Sequence, residues 1–576
     1  MAVEVRFRPG PTTVTLPRRN PCELEIDLFC HGARIDPSAT LHEDARQVTR
    51  TRAGLGSGLE IVIPGPLKDI WMNVPVEEDF ARGSPYVVAK DARGYHVRDE
   101  RADHRYLIRI PEEPAWYERR TSRGVPMSKV GVLQGTYLGI YIANSCLFWY
   151  SSPSMNCRFC TTGSNVGVNE VAQKDVDDVV EVARAAKEES GVTFVHLNSG
   201  HQAGRDLSLA APHVRALKER VGTLVGVQLM PAKDLSEYDR LIDLGADHFS
   251  FCYEFQNPEY FERYLPGKHR WFGQKVFFDA LEYTSKRLGK GAVSGEIIAG
   301  VEPIEDTMRA IDYITSVGAF PTVCVFRPVI GADMERHPPP RYEEMRAVYA
   351  HVYEACRKNG IPIGAAPNIE VSLIVQPDDT RYLAPSKPAT WAYEAFLRVA
   401  RAAARPLFAS KMRPIASKSK APGKNAPRAA AIGEIEAFGK AAPPIESQSQ
   451  DREVEARTAY ATVRFVAEAA PGAFTVEERG STLEIRPANP LAATPGRCRL
   501  KIFRPRENRD RLCAFFYKQS NLAWSRDRFS YGAVEFFPEH LSADDVEVWL
   551  AWLRGGFDPD RRPAHLKRAF LYTIPD

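Results

Sequence analysis

Leu138-Gly139-Ile140-Tyr141-Ile142-Ala143-Asn144-Ser145-Cys146 is an apolar run that ends in a thiol, and ten residues later comes Cys157-Arg158-Phe159-Cys160. Three thiols near one strand end can hold a metal ion or a cluster, and their number discriminates between the two. A structural zinc site wants four protein ligands and a closed shell. A cubane iron–sulfur cluster has four irons, so three thiolates leave one iron open to a ligand that does chemistry. A zinc site built from the same thiols plus His201 or a distant residue is the rival reading. Against it, the chain has no second Cys-x2-Cys pair, and His201 lies beyond the next strand instead of in the loop.

Outward from Val132 the pattern alternates strands and helices. Strands are expected near 137–145, 192–199, 223–229, 247–254, 293–300 and 320–329. Amphipathic helices are expected near 174–189, 206–220, 235–243, 271–288, 303–317 and 341–358, with a further strand and helix within 361–403. Asp175-Val176-Asp177-Asp178-Val179-Val180 places acids at the start of an apolar helical stripe, which suits a helix N-terminus. Six βα units in strict alternation demand a parallel sheet with right-handed crossovers. Such a sheet curls into a partial or full barrel, with its active site at the C-terminal strand ends. Cys146 stands at such an end.

At this point the chain resembles the radical S-adenosylmethionine (radical SAM) superfamily over about residues 132–360. The family hallmark is three cysteines after the first barrel strand, with an aromatic residue between the last two, a position filled here by Phe159. The spacing departs from the family's: ten residues separate the first two cysteines where three are usual. Pro153 stands at the usual place and has no ligating atom, so Leu147 to Asn156 must fold out as an insertion around the turn-prone Ser151-Ser152-Pro153-Ser154.

The resemblance implies a 4Fe-4S cluster on Cys146, Cys157 and Cys160 and S-adenosylmethionine on its open iron. One electron then breaks the sulfonium to methionine and a 5′-deoxyadenosyl radical, which abstracts a substrate hydrogen. A widened loop that rotated the bound sulfonium would instead lead to transfer of a 3-amino-3-carboxypropyl group. The resemblance further assigns Asn198, Ser199 and Gly200 to the turn that holds the methionine amino group. Glu254 resembles the strand-end carboxylate of relatives near biotin synthase and the hydrogenase maturases. Glu296 lies on the strand that resembles the adenine-facing one. Arg327 stands at an apolar strand end, where a charge needs a carboxylate that substrate or cofactor could supply. The implied partners are an external one-electron reductant such as flavodoxin or ferredoxin, and a substrate the sequence does not identify.

The flanks read differently. Residues 1–130 suggest a β-rich domain, from alternating runs such as Val3–Phe7, Leu24–Leu28, Leu59–Ile63 and Tyr106–Ile110. The barrel is expected over 131–404 and an Ala/Pro/Lys-rich linker over 405–454, basic and without acids from Arg405 to Arg428. A small α+β domain is expected over 455–576, with strands at Thr462–Val466 and Gly532–Phe536, a helix at Ala543–Leu550, and Trp549 and Trp552 in its core. Trp116, Tyr117, Phe515, Phe516 and Tyr517 suit either core packing or docking of a large substrate.

The whole is an α/β chain of 576 residues, long enough for several domains. Its 76 basic and 73 acidic residues nearly cancel, which gives no specific nucleic-acid signal. Met1–Arg6 lacks the apolar core of a signal peptide, and no run of about 18 apolar residues suggests a membrane span. A cytoplasmic protein with reduced thiols is the expectation. The seven remaining cysteines show no cluster-like spacing, and Cys252 and Cys324 fall on barrel strands.

Overall fold

The computed structural model describes residues 17–41, 48–49, 58–151, 154–415, 448–470, 472–488, 497–505, 510–520 and 528–566. The expected strand at Val3–Phe7 lies outside them.

Six parallel strands form the centre: Tyr137–Tyr141, Phe194–Asn198, Leu224–Gln228, His248–Glu254, Val293–Ala299 and Phe320–Val325. They lie side by side in chain order, first to sixth, and Val132–Gln134 pairs antiparallel on the outer edge of the first. Helices Val176–Ser190, Asp206–Arg220, Ser236–Asp243, Gln274–Leu288 and Ile304–Ser316 make the crossovers, and Tyr342–Asn359 follows the sixth strand. An order without a switch point means that every crossover steps the same way, so the sheet curls into a half barrel. Residues 361–403 add no strand among the described residues; they hold the short 3-10 helix Asp379–Leu383 and the start of the helix Pro388–Lys411.

The strands face both ways. Val195, Leu197, Val225, Val227, Phe249, Phe251, Val293 and Ile297 alternate with the inner face and join the large apolar core. Toward the N-terminal strand ends, the inner face is floored by a chain of rings. Tyr137 meets Phe194 at 5.9 Å, Phe194 stacks on His196 at 5.5 Å, His196 meets His248 at 5.7 Å, and His248 stacks on Phe320 at 5.6 Å. Gly226 makes room for this floor, because a Cβ there would lie 2.3 Å from the Phe194 ring. Burial, with His248 beside it, pushes His196 down to about 3, so it sits in the floor as a neutral ring. Glu296, Cys252 and Asn198 come above this floor, toward the mouth.

Two sequence expectations fail on the flanks. Leu24–Leu28 belongs to the helix Pro21–His31: Asn20 and Glu23 form a capping box, Pro21 sits in the first turn, and Leu24, Glu25, Ile26, Asp27 and Leu28 are all buried. Thr462–Val466 belongs to the helix Gln448–Glu468, whose buried Ala459, Tyr460, Val463, Val466 and Ala467 fall at helical spacing. Helical structure also extends beyond the expected limits of the 405–454 segment, since Pro388–Lys411 runs into it and Gln448–Glu468 starts inside it. Residues 416–447 lie outside the described residues. Leu59–Ile63 and Gly532–Phe536 are within strands, as the sequence suggests, and the latter extends to Arg528–Phe536.

The C-terminal part is a five-stranded antiparallel sheet. One face packs on the helices Gln448–Glu468 and Ala543–Arg554 around Phe516, Trp549 and Trp552. Phe503, Cys513, Phe515, Tyr517 and Ala533 form the other face, with Val168 against them. Trp116 is fully buried. Of the five aromatics, Trp116, Phe515, Phe516 and Tyr517 are therefore packing residues.

Buried polar ties lock the N-terminal sheets to the barrel. Glu60 accepts from the Gly135 N–H at 2.8 Å and the Ser372 hydroxyl at 2.9 Å. Burial pushes its carboxyl up to about 7, against an ordinary 4.5. The folded chain thus favours the protonated acid. This contribution to stability is complete below about pH 4.5 and is lost as the pH rises through 7, a change on the order of 3 kcal/mol. Urea midpoints at pH 5 and pH 7.5 should therefore converge in Glu60→Gln relative to the native chain. Equal pH dependence in the two proteins would contradict this.

Candidate cluster site

The three thiols gather at the mouth, and two of their sulfurs accept backbone N–H groups. The first strand ends at Tyr141, and Cys146 opens a short helical turn, Leu147–Tyr150. The Cys146 Sγ accepts from the His201 N–H at 3.3 Å. Gly200 lies directly against it: a Cβ there would come within 2.3 Å of the Cys146 Cβ and 2.9 Å of its sulfur. The Cys160 Sγ takes the Thr162 N–H at 3.4 Å and lies 3.1 Å from the Thr162 hydroxyl. Phe159 packs edge-on against Phe255, 6.2 Å away, just beyond the fourth strand. The ring therefore pins the Cys157–Cys160 turn to the barrel wall.

Electrostatics tie the trio together. Burial pushes the Cys146 thiol up to about 11, with Cys160 adding to the rise. Burial raises Cys157 further, while the Lys268 ammonium opposes the rise. Among the described residues, no three His, Cys, Asp or Glu side chains converge closely enough to share one ion. A cubane makes a different demand, since each thiolate binds its own iron and the three sulfurs need not meet at a point. Three mutually felt thiols with a buried cation beside them suit a group that carries several negative charges. Two orphaned buried atoms stand on the same loops, the Asn198 Oδ1 and the Ser145 hydroxyl, and ask for a polar ligand at the mouth.

The second strand ends at Asn198, and the turn after it is built by hydrogen bonds. The Ser199 N–H reaches the Gln228 carbonyl at 3.3 Å, and the Gly200 N–H donates to the Tyr141 hydroxyl at 2.8 Å. Asn198, Ser199 and Gly200 are thus brought beside Cys146.

The fourth strand carries a register shift between Cys252 and Glu254, and Glu254 has φ +57°. A bulge with a non-glycine left-handed residue re-aims a side chain at some cost in strain. Here it turns Glu254 toward Lys268, whose Nζ lies 2.6 and 2.8 Å from the two carboxylate oxygens and 2.6 Å from the Cys252 carbonyl. Burial lifts Glu254 to about 7 even though Lys268 opposes it. The charge of Glu254 is therefore met within the protein by a lysine that sequence reasoning missed. Lys268 sits in a short helix, Pro266–Trp271, that carries no motif of its own.

Glu296 lies in the middle of the fifth strand, opposite Cys252 in register. Gln228 Nε2 donates to it at 2.6 Å and also reaches the Cys252 sulfur at 2.9 Å. Burial raises the Glu296 carboxyl. Arg327 is buried beyond the sixth strand, but its carboxylate partner is Glu78, at 2.6 Å, with Asn73 at 3.2 Å. The counter-charge expected from substrate or cofactor is thus supplied by the N-terminal part of the chain. Nothing in the local sequence could have paired residues so far apart.

The C-terminal sheet packs on the segments that follow the cysteine loop and the sixth strand. The Ser164 hydroxyl donates to the Ser530 carbonyl at 3.1 Å, and the Gly331 N–H donates to the Tyr531 hydroxyl at 2.9 Å. Arg497, almost fully buried, pairs with Glu77 at 2.7 Å.

No family model matches the chain. A bacteriochlorophyllide c C-7(1)-hydroxylase of Chlorobaculum limnaeum is 26% identical over 257 residues, 40% of this chain and 63% of the hydroxylase. The chain thus spans less than two thirds of that relative's length. Among solved structures, a radical SAM methyltransferase from Sphaerobacter thermophilus is 14% identical with a TM-score of 0.31, covering 49% of this chain and 78% of the other. The FeFe-hydrogenase maturase HydG is 13% identical with a TM-score of 0.31, over 38% of this chain and 49% of HydG. Methylornithine synthase is 19% identical with a TM-score of 0.30, over 38% of this chain and 62% of the synthase.

Proposed function

We propose that this chain, a member of the radical SAM superfamily and an enzyme of that class, holds a 4Fe-4S cluster on Cys146, Cys157 and Cys160 and binds S-adenosylmethionine beside it. When bound, the pair supplies reductive cleavage to a 5′-deoxyadenosyl radical that takes a hydrogen atom from a substrate. The observation that carries this reading is the gathering of three thiols, with no fourth ligand among the described residues, at the C-terminal mouth of a curled parallel sheet.

The chain's own groups have separable tasks. The His201 and Thr162 N–H groups orient two of the thiolates, as partners of metal ligands commonly do. Lys268 offsets the negative charge that three thiolates bring into a buried site. Asn198, Ser199 and Gly200 offer polar groups beside Cys146 for the methionine amino group. Glu296 and Gln228 line the inner wall where the nucleoside would lie. The name of the hydroxylase relative fits chemistry that begins at a C–H bond.

The test is mass spectrometry of the products after anaerobic reconstitution with dithionite and S-adenosylmethionine. 5′-Deoxyadenosine is the expected product. 5′-Methylthioadenosine in its place would point to 3-amino-3-carboxypropyl transfer. No cleavage, with zinc and no sulfide in the purified protein, would leave a zinc-stapled barrel with a binding or assembly role.

Among the described residues no helix is long and apolar enough to cross a membrane.

A further inference from the structure

The helix Pro388–Lys411 lies at the end of the barrel opposite the mouth, and its inner side is tied down. Phe408, with Met412 just past the helix, packs on Tyr137, Phe194 and Leu224 at the N-terminal strand ends. The Tyr393 hydroxyl donates to the Ile361 carbonyl at 2.5 Å, and Arg401 Nε donates to the Gly364 carbonyl at 2.9 Å. Lys218 Nζ holds the last turn by donating to the Lys411 carbonyl at 2.8 Å.

The outer side of this helix is apolar as well. Trp391 is 62% exposed, Val399 68%, Leu407 56% and Phe396 44%. At helical spacing the four fall within one half of the circumference. Every other exposed position of the helix is alanine, proline or serine, apart from Arg398 and Arg405. These two arginines, seven residues apart, run along one edge of the apolar face. A helix that is apolar on both sides asks for cover on both, and four large side chains on one face exceed the scatter of single apolar residues on an ordinary surface.

The charge beside this face has one sign. From Ala395 to Gly433 the chain carries nine arginines and lysines and no acid. The one acid of the helix, Glu394, is already met by Arg381 at 3.0 Å and by the Tyr353 hydroxyl at 3.0 Å.

We infer that this face seats the protein on an anionic lipid bilayer, with the helix lying in the headgroup plane and not across it. Trp391, Phe396 and Leu407 are the side-chain types that settle at the boundary of headgroups and acyl chains. The arginine edge and the basic chain beyond it meet the lipid phosphates. A second copy of the chain suits the face less well. A two-fold pair would set the arginine edge of one helix against the other helix, which offers no exposed acid to receive it. Since the helix lies under the N-terminal strand ends, a bilayer seated there leaves the thiol mouth on the water side.

The test is flotation of the full-length chain with phosphatidylcholine vesicles and with vesicles holding about 30% phosphatidylglycerol. The native chain is expected to float with the anionic vesicles, to stay behind with the zwitterionic ones, and to be released as salt rises. Trp391→Ser, Val399→Ser should weaken the anionic partition at least about tenfold, and Arg398→Glu, Arg405→Glu, Arg413→Glu about a hundredfold. Both variants change exposed side chains only, so their urea midpoints should match that of the native chain. No flotation of the native chain would overturn the inference. So would binding lost in the charge variant and unchanged in the apolar one, which would leave a basic segment acting alone. A native dimer in sedimentation velocity that Trp391→Ser, Val399→Ser dissociates would give the face to a second copy and overturn the bilayer. Binding is expected with or without a cluster, so failure at the mouth and failure of this face are read separately.

Discussion

Cys157→Ala is expected to abolish both cluster retention and S-adenosylmethionine cleavage, a loss of at least about a thousandfold in product, since the remaining two thiols cannot hold a cubane. The reasoning is one of ligand count. The ten cysteines include seven outside the trio, and of these Cys22, Cys30, Cys324, Cys356, Cys498 and Cys513 are buried in the core. Cys252 already lies 2.9 Å from the Gln228 amide, on the inner wall. None stands in the loop to replace the lost ligand. Iron and acid-labile sulfide per chain, measured after reconstitution, should fall together with 5′-deoxyadenosine. Circular dichroism should remain that of the native chain, because Phe159 still pins the turn against Phe255. A Cys157→Ala protein that retains four irons and turns over would remove Cys157 from the ligand set.

Lys268→Met should carry the largest cost in stability, about 3–5 kcal/mol, as expected when one partner of a buried ion pair is removed. Lys268 and Glu254 are both nearly fully buried, and the ammonium also holds the Cys252 carbonyl at the strand bulge. Without it Glu254 keeps a buried charge or must take up a proton, and the left-handed Glu254 backbone loses its tether. Adding Glu254→Gln to Lys268→Met should recover a good part of the loss, because it removes the orphaned charge. Urea unfolding of the cluster-free proteins would measure both. Additive losses would show that the two side chains do not work as a pair.

Much of the barrel was legible in the sequence, for a physical reason. Buried parallel strands are continuous apolar runs and their crossover helices carry acids first and an apolar stripe, so the two periods separate cleanly. All six strands and the six helices after them fall where the alternation places them. The misread elements are ones in which local alternation misleads. Leu24-Glu25-Ile26-Asp27-Leu28 alternates with period two, yet every one of these residues is buried in a helix. The Asn20-Pro21-Cys22-Glu23 start was the better signal, being a capping box with proline in the first turn.

At the site, the cysteine loop and the Asn198–Gly200 turn could be found because each follows a strand end. Tertiary pairing could not be. Glu78 comes from the N-terminal part, just after the strand Ile70–Pro75, to meet Arg327, and Lys268 comes from a short helix to meet Glu254. Charges that sequence alone would leave waiting for a ligand are therefore satisfied within the chain. What stays open at the mouth is the thiol trio with the orphaned Asn198 and Ser145 oxygens beside it.

The most direct test of the cluster assignment is Mössbauer spectroscopy of the anaerobically reconstituted chain, with iron and sulfide quantified on the same sample. Four irons and four sulfides per chain, with one iron site changing its spectrum when S-adenosylmethionine is added, is the predicted result. One zinc per chain without sulfide, or a cluster whose four irons are all unmoved by S-adenosylmethionine, would contradict it.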